Sequence, residues 1–161
     1  MSDKSQLPEL IRTVCSTDAG EGLRHQCSPA SGLTQSFDVN VPPDLQAFWD
    51  EFGGMRLFED TEYGQWGLVL WGNEQVRERQ ETERASLVDR DAYRDGDLVI
   101  GEFLGDADKL LVRCDPRCED FGAVLVVIPV DRREDWPQLW PSLEAFIAAF
   151  VDHNGEKYWP H

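Results

Sequence analysis

PPDLQAFWDEFGG, residues 42–54, carries a helix start, an apolar stripe and a glycine stop in one short stretch. Pro43 suits the first helical turn, where its missing N–H costs nothing, and Asp44, Asp50 and Glu51 load carboxylates along the helix. Leu45, Phe48, Trp49 and Phe52 fall at i, i+3, i+4 and i+7, so they share one face, and that face must be buried. Gly53 and Gly54 permit the left-handed backbone that closes a helix, after which Met55–Phe58 resumes as a strand. The stretch is framework and bears no catalytic group.

Working outward, Trp66–Trp71 (WGLVLW) is a compact apolar run bounded by Gly64 on one side and by Gly72 and Asn73 on the other, which predicts a buried strand. Trp49 and Trp66 are assigned to packing. Asn73 is placed to cap a polar, solvated helix over Glu74–Arg84. Three more strands are predicted over Leu98–Leu104, Lys109–Cys114 and Ala123–Ile128. The first two are joined by Gly105, Asp106, Ala107 and Asp108, a connection suited to an antiparallel hairpin. Both faces of Ala123–Ile128 are apolar, so that strand is central and lies under a helix. The helix is Leu143–Asp152, with Ser142 as its cap and Gly155 just past its end. Before the opening stretch, Leu7–Val14 forms a short helix, and Ser16–Ser36 reads as a loop or loosely attached extension. The order implies an α+β fold: one domain with a mixed, largely antiparallel sheet packed by helices.

A chain of 161 residues with 41% hydrophobic residues supports one sizeable core. The N-terminus lacks the basic-then-apolar order of a signal peptide, and the longest apolar run is too short to span a bilayer. These features predict a cytoplasmic protein, in which the four cysteines are reduced thiols. The net charge of −16 repels nucleic acid and anionic membranes and favours a basic partner, although acidity also serves solubility alone. No cofactor is expected, since the phosphate-loop and dinucleotide fingerprints are absent.

The three histidines, His25, His153 and His161, lie outside any metalloprotease, deaminase or nucleophile-elbow context, and His153 fits the C-terminal cap of the last helix. Cys114 and Cys118 have half of a zinc spacing, with Cys15, Cys27 or His25 as a distant other half; packing inside and in a turn is the competing reading. Asp95, Asp97, Asp106 and Asp108 flank the predicted hairpin, where aspartates also fit turns. Trp71, Trp136, Trp140 and Trp159 fall near element ends, either as lids over the core or as exposed anchors.

Taken together, PPDLQAFWDEFGG, WGLVLW, GDLVIGEFLGDADKLLVRCDP, FGAVLVVIP and PSLEAFIAAFVDHN resemble the SUKH superfamily, which is related to yeast cell-wall assembly regulators. The resemblance runs from about Phe37 to Asp152, dividing the chain into an N-terminal extension, 1–36, and a SUKH-like domain, 37–161. It implies a non-enzymatic binding protein. Bacterial members resemble immunity proteins that neutralise a cognate toxin, often a nuclease, whereas eukaryotic relatives look like signalling scaffolds. The acidic surface then predicts docking onto a basic toxin domain through Glu59, Asp60 and Glu62, Asp97, Glu102, Asp106 and Asp108, with Trp71 as an anchor. A regulatory scaffold is the alternative, and a small metal-dependent hydrolase built on the Asp cluster is a third.

Overall fold

The computed structural model describes residues 5–30, 39–85, 92–139 and 141–159. In chain order these form α1 (Leu7–Cys15), β1 (Leu23–Pro29), α2 (Pro43–Glu51), β2 (Phe52–Asp60), β3 (Leu68–Trp71), α3 (Asn73–Ala85), β4 (Asp97–Phe103), β5 (Lys109–Arg113), β6 (Val124–Val127), β7 (Gln138–Leu139) and α4 (Leu143–Asp152). The seven strands make one sheet in sequence order, every neighbour antiparallel. The fold is therefore α+β, with the sheet antiparallel throughout. Helices α1, α2 and α4 pack on one another, while α3 packs against β3 and β4.

The proline-led stretch forms α2 as expected, and Leu45, Phe48 and Trp49 are buried. It ends before Phe52, whose extended backbone opens β2 while its ring still stacks on Phe48, with centroids 5.6 Å apart. Gly53 and Gly54 consequently lie in a strand, and they do not terminate the helix. Their smallness serves close strand approach: a Cβ on Gly72 would stand 2.4 Å from the Gly53 carbonyl oxygen. Trp49 reaches over this narrow place, its indole N–H donating to the Trp71 carbonyl at 3.2 Å.

The N-terminal segment corrects two expectations. Residues 23–29 are not loop but strand β1, which pairs with β2 from Leu23 opposite Asp60 to Pro29 opposite Phe52; residues 31–36 of the expected loop lie outside the described residues. The strand was hard to read because half-buried Leu23, His25 and Cys27 alternate with exposed Arg24, Gln26 and Ser28, only one of them a strongly apolar residue. The described part of the segment is also not loosely attached, since Ala19, Leu23 and Cys27 pack against the common core. Cys15 and Cys27 are joined in a disulfide, so they are not the reduced thiols the composition argument predicted. That argument weighed compartment alone, and pairing follows from α1 ending beside β1. Cys114 and Cys118 remain free thiols.

The C-terminal half follows its sequence closely. Ser142 caps α4 by accepting the Ala145 N–H at 3.1 Å, and His153 sits at the other end, its Nδ1 2.7 Å from the Ala149 carbonyl. Trp136 and Trp159 are buried, whereas Trp140 lies outside the described residues. Where β3 stops short of β4, Gln80 of α3 takes the missing place. Its side-chain amide accepts from the Val99 N–H at 3.1 Å and donates to the Val99 carbonyl at 2.8 Å, satisfying both groups as a neighbouring strand would.

Candidate functional site

The β2–β3 turn, residues 61–67, and the β4–β5 turn, residues 104–108, lie side by side at one end of the sheet. The Leu104 N–H donates to the Gly67 carbonyl at 2.8 Å. Gly105 comes so near Gln65 that a Cβ there would stand 2.0 Å from the Gln65 carbonyl oxygen, and its φ of 94° lies in the left-handed region, so both geometry and space require glycine. The two segments that sequence nominated separately, an acidic loop and an acidic hairpin, are thus one surface carrying Asp60, Glu62, Asp106 and Asp108.

Asp60 organises the first turn. One carboxylate oxygen accepts the N–H groups of Glu62 at 2.9 Å and Tyr63 at 3.2 Å, and the other accepts from Gln65 at 3.3 Å. The Glu62 and Tyr63 amides hold this carboxyl below its ordinary range, so it stays ionised. The turn lifts Glu62 and Tyr63 outward, with Tyr63 77% exposed and Trp66 39% exposed. Trp66 therefore corrects its assignment to the core: β3 begins only at Leu68, beyond Gly67. In the second turn Asp106 accepts the Asp108 N–H at 2.9 Å, and Lys157, arriving from the segment after α4, pairs with Asp106 and, at 3.2 Å, with Asp108.

The remaining nominated residues are held elsewhere. Glu59 is buried, its carboxylate bridged between Arg24, at 2.6 Å, and Arg56. Burial pushes its carboxyl up, and the two guanidinium groups more than offset this, leaving it below its ordinary value. Trp71 is 1% exposed beneath the Arg79 guanidinium, 4.4 Å from the ring centroid, so it is a core residue and not an accessible anchor. Glu102 is half-buried and engages Lys109 at 3.4 Å and Arg79 at 3.8 Å, on the wall of a cleft of about 230 Å³ lined also by Gln26, Arg56 and Val69. Asp97 is withdrawn completely, its side chain fully buried between Arg113 and Arg133. The exposed aromatics Tyr63 and Trp66 were missed. Tyr63, set between Glu62 and Gly64 in a polar run, was the available signal, since no core periodicity claims it.

Among the described residues no group of three or more His, Cys, Asp or Glu is placed to hold a metal ion. Of the distant half of the zinc reading, Cys15 and Cys27 are bonded to each other, and Nδ1 of His25 accepts the Phe58 N–H. No described helix is long and apolar enough to cross a membrane.

Directly behind the acidic turn, the Phe58 N–H donates to Nδ1 of His25 at 3.2 Å, and the imidazole edge meets the Phe58 ring at 4.5 Å between centroids. Partial burial lowers the His25 pKa below its ordinary 6.5, opposed by Asp18, and the bond needs Nδ1 unprotonated. A histidine whose folded pKa is depressed binds its proton more readily when unfolded. Its stabilisation is complete above 6.5 and is lost as the pH falls below that value towards the lowered folded pKa. Thermal melts should therefore show a melting temperature that falls between about pH 7 and pH 5 by roughly 1–3 °C more in the native chain than in His25→Gln. Glutamine keeps an acceptor but does not titrate, so equal slopes would remove His25 from the account.

An antiparallel sheet backed by a helical layer, with an acidic and aromatic turn cluster at one end, defines a single domain of α+β class. Residues 32–149 match the SMI1/KNR4 family (SUKH-1), and the chain belongs to that family. No curated protein and no solved structure matches the chain. The match begins after α1 and β1, so these two elements precede the family core even though they share its sheet and its hydrophobic interior.

Proposed function

We propose that this protein is an immunity-type binder that neutralises a cognate basic toxin domain, a nuclease in the first instance, by docking the end of the sheet formed by residues 60–66 and 104–108 onto it. The observation that carries this reading is the convergence of Asp60, Glu62, Asp106 and Asp108 around exposed Tyr63 and Trp66, on a chain of net charge −16. Acidic groups steer a cationic surface into place, and aromatic anchors then slow its departure. Blocking the cationic groove of a nuclease excludes substrate phosphate without chemistry by the inhibitor. Lys157 occupies Asp106 and Asp108 in the free chain, so the partner's cation competes with an internal one at those two residues. Glu62 is the more available acid.

The test is the interaction of the full chain with a basic nuclease domain encoded beside it, measured by binding kinetics across ionic strength. Glu62→Lys with Asp106→Lys should slow association about tenfold, most at low salt. Tyr63→Ala and Trp66→Ala should each speed dissociation about 10- to 100-fold. The native chain should also protect cells expressing the nuclease, while Tyr63→Ala with Trp66→Ala should not. Tight binding without protection would favour a regulatory scaffold. Unaltered kinetics in all these variants would place the interface elsewhere.

A further inference from the structure

The Cys15–Cys27 disulfide closes a ring spanning residues 15–27, and Gly22, Arg24 and His25 within it bond to the base of the acidic turn. Inside it, Asp18 accepts the Gly20 N–H at 2.9 Å and the Leu23 N–H donates to the Gly20 carbonyl at 3.1 Å, folding the connection into consecutive tight turns. From that folded connection the Gly22 carbonyl accepts twice from Thr61, from the N–H at 3.0 Å and from Oγ1 at 3.1 Å. His25 accepts the Phe58 N–H, and Arg24 holds Glu59. Residues 58, 59 and 61 thus take their support from the ring, and residue 60 between them organises the turn. Both cysteines are half-buried, so the bond is within reach of a small thiol, and the ring lies wholly before the family core.

We propose that this disulfide is a redox latch on the docking end: oxidised, it holds the turn at residues 60–66 in order, and reduced, it releases that turn while the family core stays folded. The reductant is a dithiol. One thiolate attacks the sulfur of either cysteine and expels the other as thiolate, and the second thiol of the reductant then resolves the mixed disulfide. Two electrons pass to the protein, Cys15 and Cys27 become thiols, and the dithiol leaves as its own disulfide. Opening the ring restores chain entropy to residues 16–22, the part of the ring ahead of β1, which two hydrogen bonds from Thr61 to the Gly22 carbonyl tie to the turn. The consequence for binding rests on the reading under Proposed function; the ordering of the turn does not.

Amide hydrogen exchange on the full chain tests the latch directly, comparing the oxidised protein, the protein treated with dithiothreitol, and Cys15→Ser with Cys27→Ser. The Phe58 and Thr61 amides should exchange at least roughly tenfold faster in both open forms, with β5 and β6 amides unchanged and with protection restored on reoxidation of the native chain. Equal protection of Thr61 in all three forms would overturn the latch, and so would acceleration spread evenly over β5 and β6, because the disulfide would then be a global staple. Alkylation in denaturant that labels all four cysteines even after the native chain has been treated with an oxidised dithiol would likewise overturn it. If the turn loosens on reduction but affinity for the basic nuclease is unchanged, the latch stands and the assignment of the docking end fails.

Discussion

Replacing Asp97 with alanine is expected to destabilise the fold by about 3–5 kcal/mol, the range seen when one member of a buried ion pair is removed. Asp97 opens β4 directly opposite Arg113 of β5. Its Oδ1 accepts from Arg113 and, at 3.2 Å, from Nη2 of Arg133; its Oδ2 accepts from Nη1 of Arg133 at 2.5 Å and from the Arg94 N–H at 2.7 Å. The carboxylate is 0% exposed, and the two arginine side chains are 3% and 10% exposed. Without it, Arg113 keeps the half-exposed Asp120 at 3.1 Å and Arg133 keeps the Ala92 carbonyl at 2.8 Å. Neither replaces a buried anion. Asp97→Asn preserves the shape and one acceptor but not the charge, and should fall between the alanine variant and the native chain. Urea unfolding should show a lowered midpoint with an unchanged slope, since the folded and unfolded surfaces hardly differ. An Asp97 serving at a docking surface would behave oppositely, leaving stability within about 0.5 kcal/mol while altering association.

The contrast between Asp97 and Asp60 explains how far sequence could reach. Both are aspartates beside turn residues, and both fit a turn. Asp60 meets its partners within five residues, so its role follows from local chemistry. Asp97 is defined by Arg133, 36 positions away, which only the folded chain brings near. The same distinction separates the elements. Helices α2 and α4 and strands β3 to β6 carry their periodicity in consecutive residues and were legible. Strand β1 depends on β2 for its partner and on Cys15 for its anchor, and its own alternation is nearly polar throughout. For the acidic turn cluster, the acidic residues were visible, while their union needed the antiparallel order that places the β2–β3 and β4–β5 turns together. Trp66 was misplaced because a strand was extended through Gly67, whose φ of 128° and close approach to Glu59 mark the break.

Phe150→Ala should cost a further large share of stability, about 3–5 kcal/mol, because it empties a fully enclosed aromatic site. The ring is 1% exposed on the buried face of α4 and lies edge-on to Phe58 at 5.8 Å and Phe103 at 6.3 Å between centroids, with Phe146 at 5.6 Å. The loss is concentrated at the end of the sheet that carries the acidic turns. Phe58 has a φ of 54°, a left-handed conformation that costs a bulky residue about 1–2 kcal/mol, and it sits where the β1–β2 register shifts between Arg24 and Gln26. Packing of its ring between His25 and Phe150 offsets that cost. Removing Phe150 leaves Phe58 with one ring neighbour fewer and the same backbone, so the bulge that leads into Asp60 loses its support along with the core. Phe150→Leu fills most of the space and should cost less than about 1.5 kcal/mol. Urea unfolding measures the difference, and exchange at the Phe58 amide measures where it falls. A loss under about 1.5 kcal/mol for alanine would mean that α4 settles inward to close the cavity and that Phe58 does not depend on it.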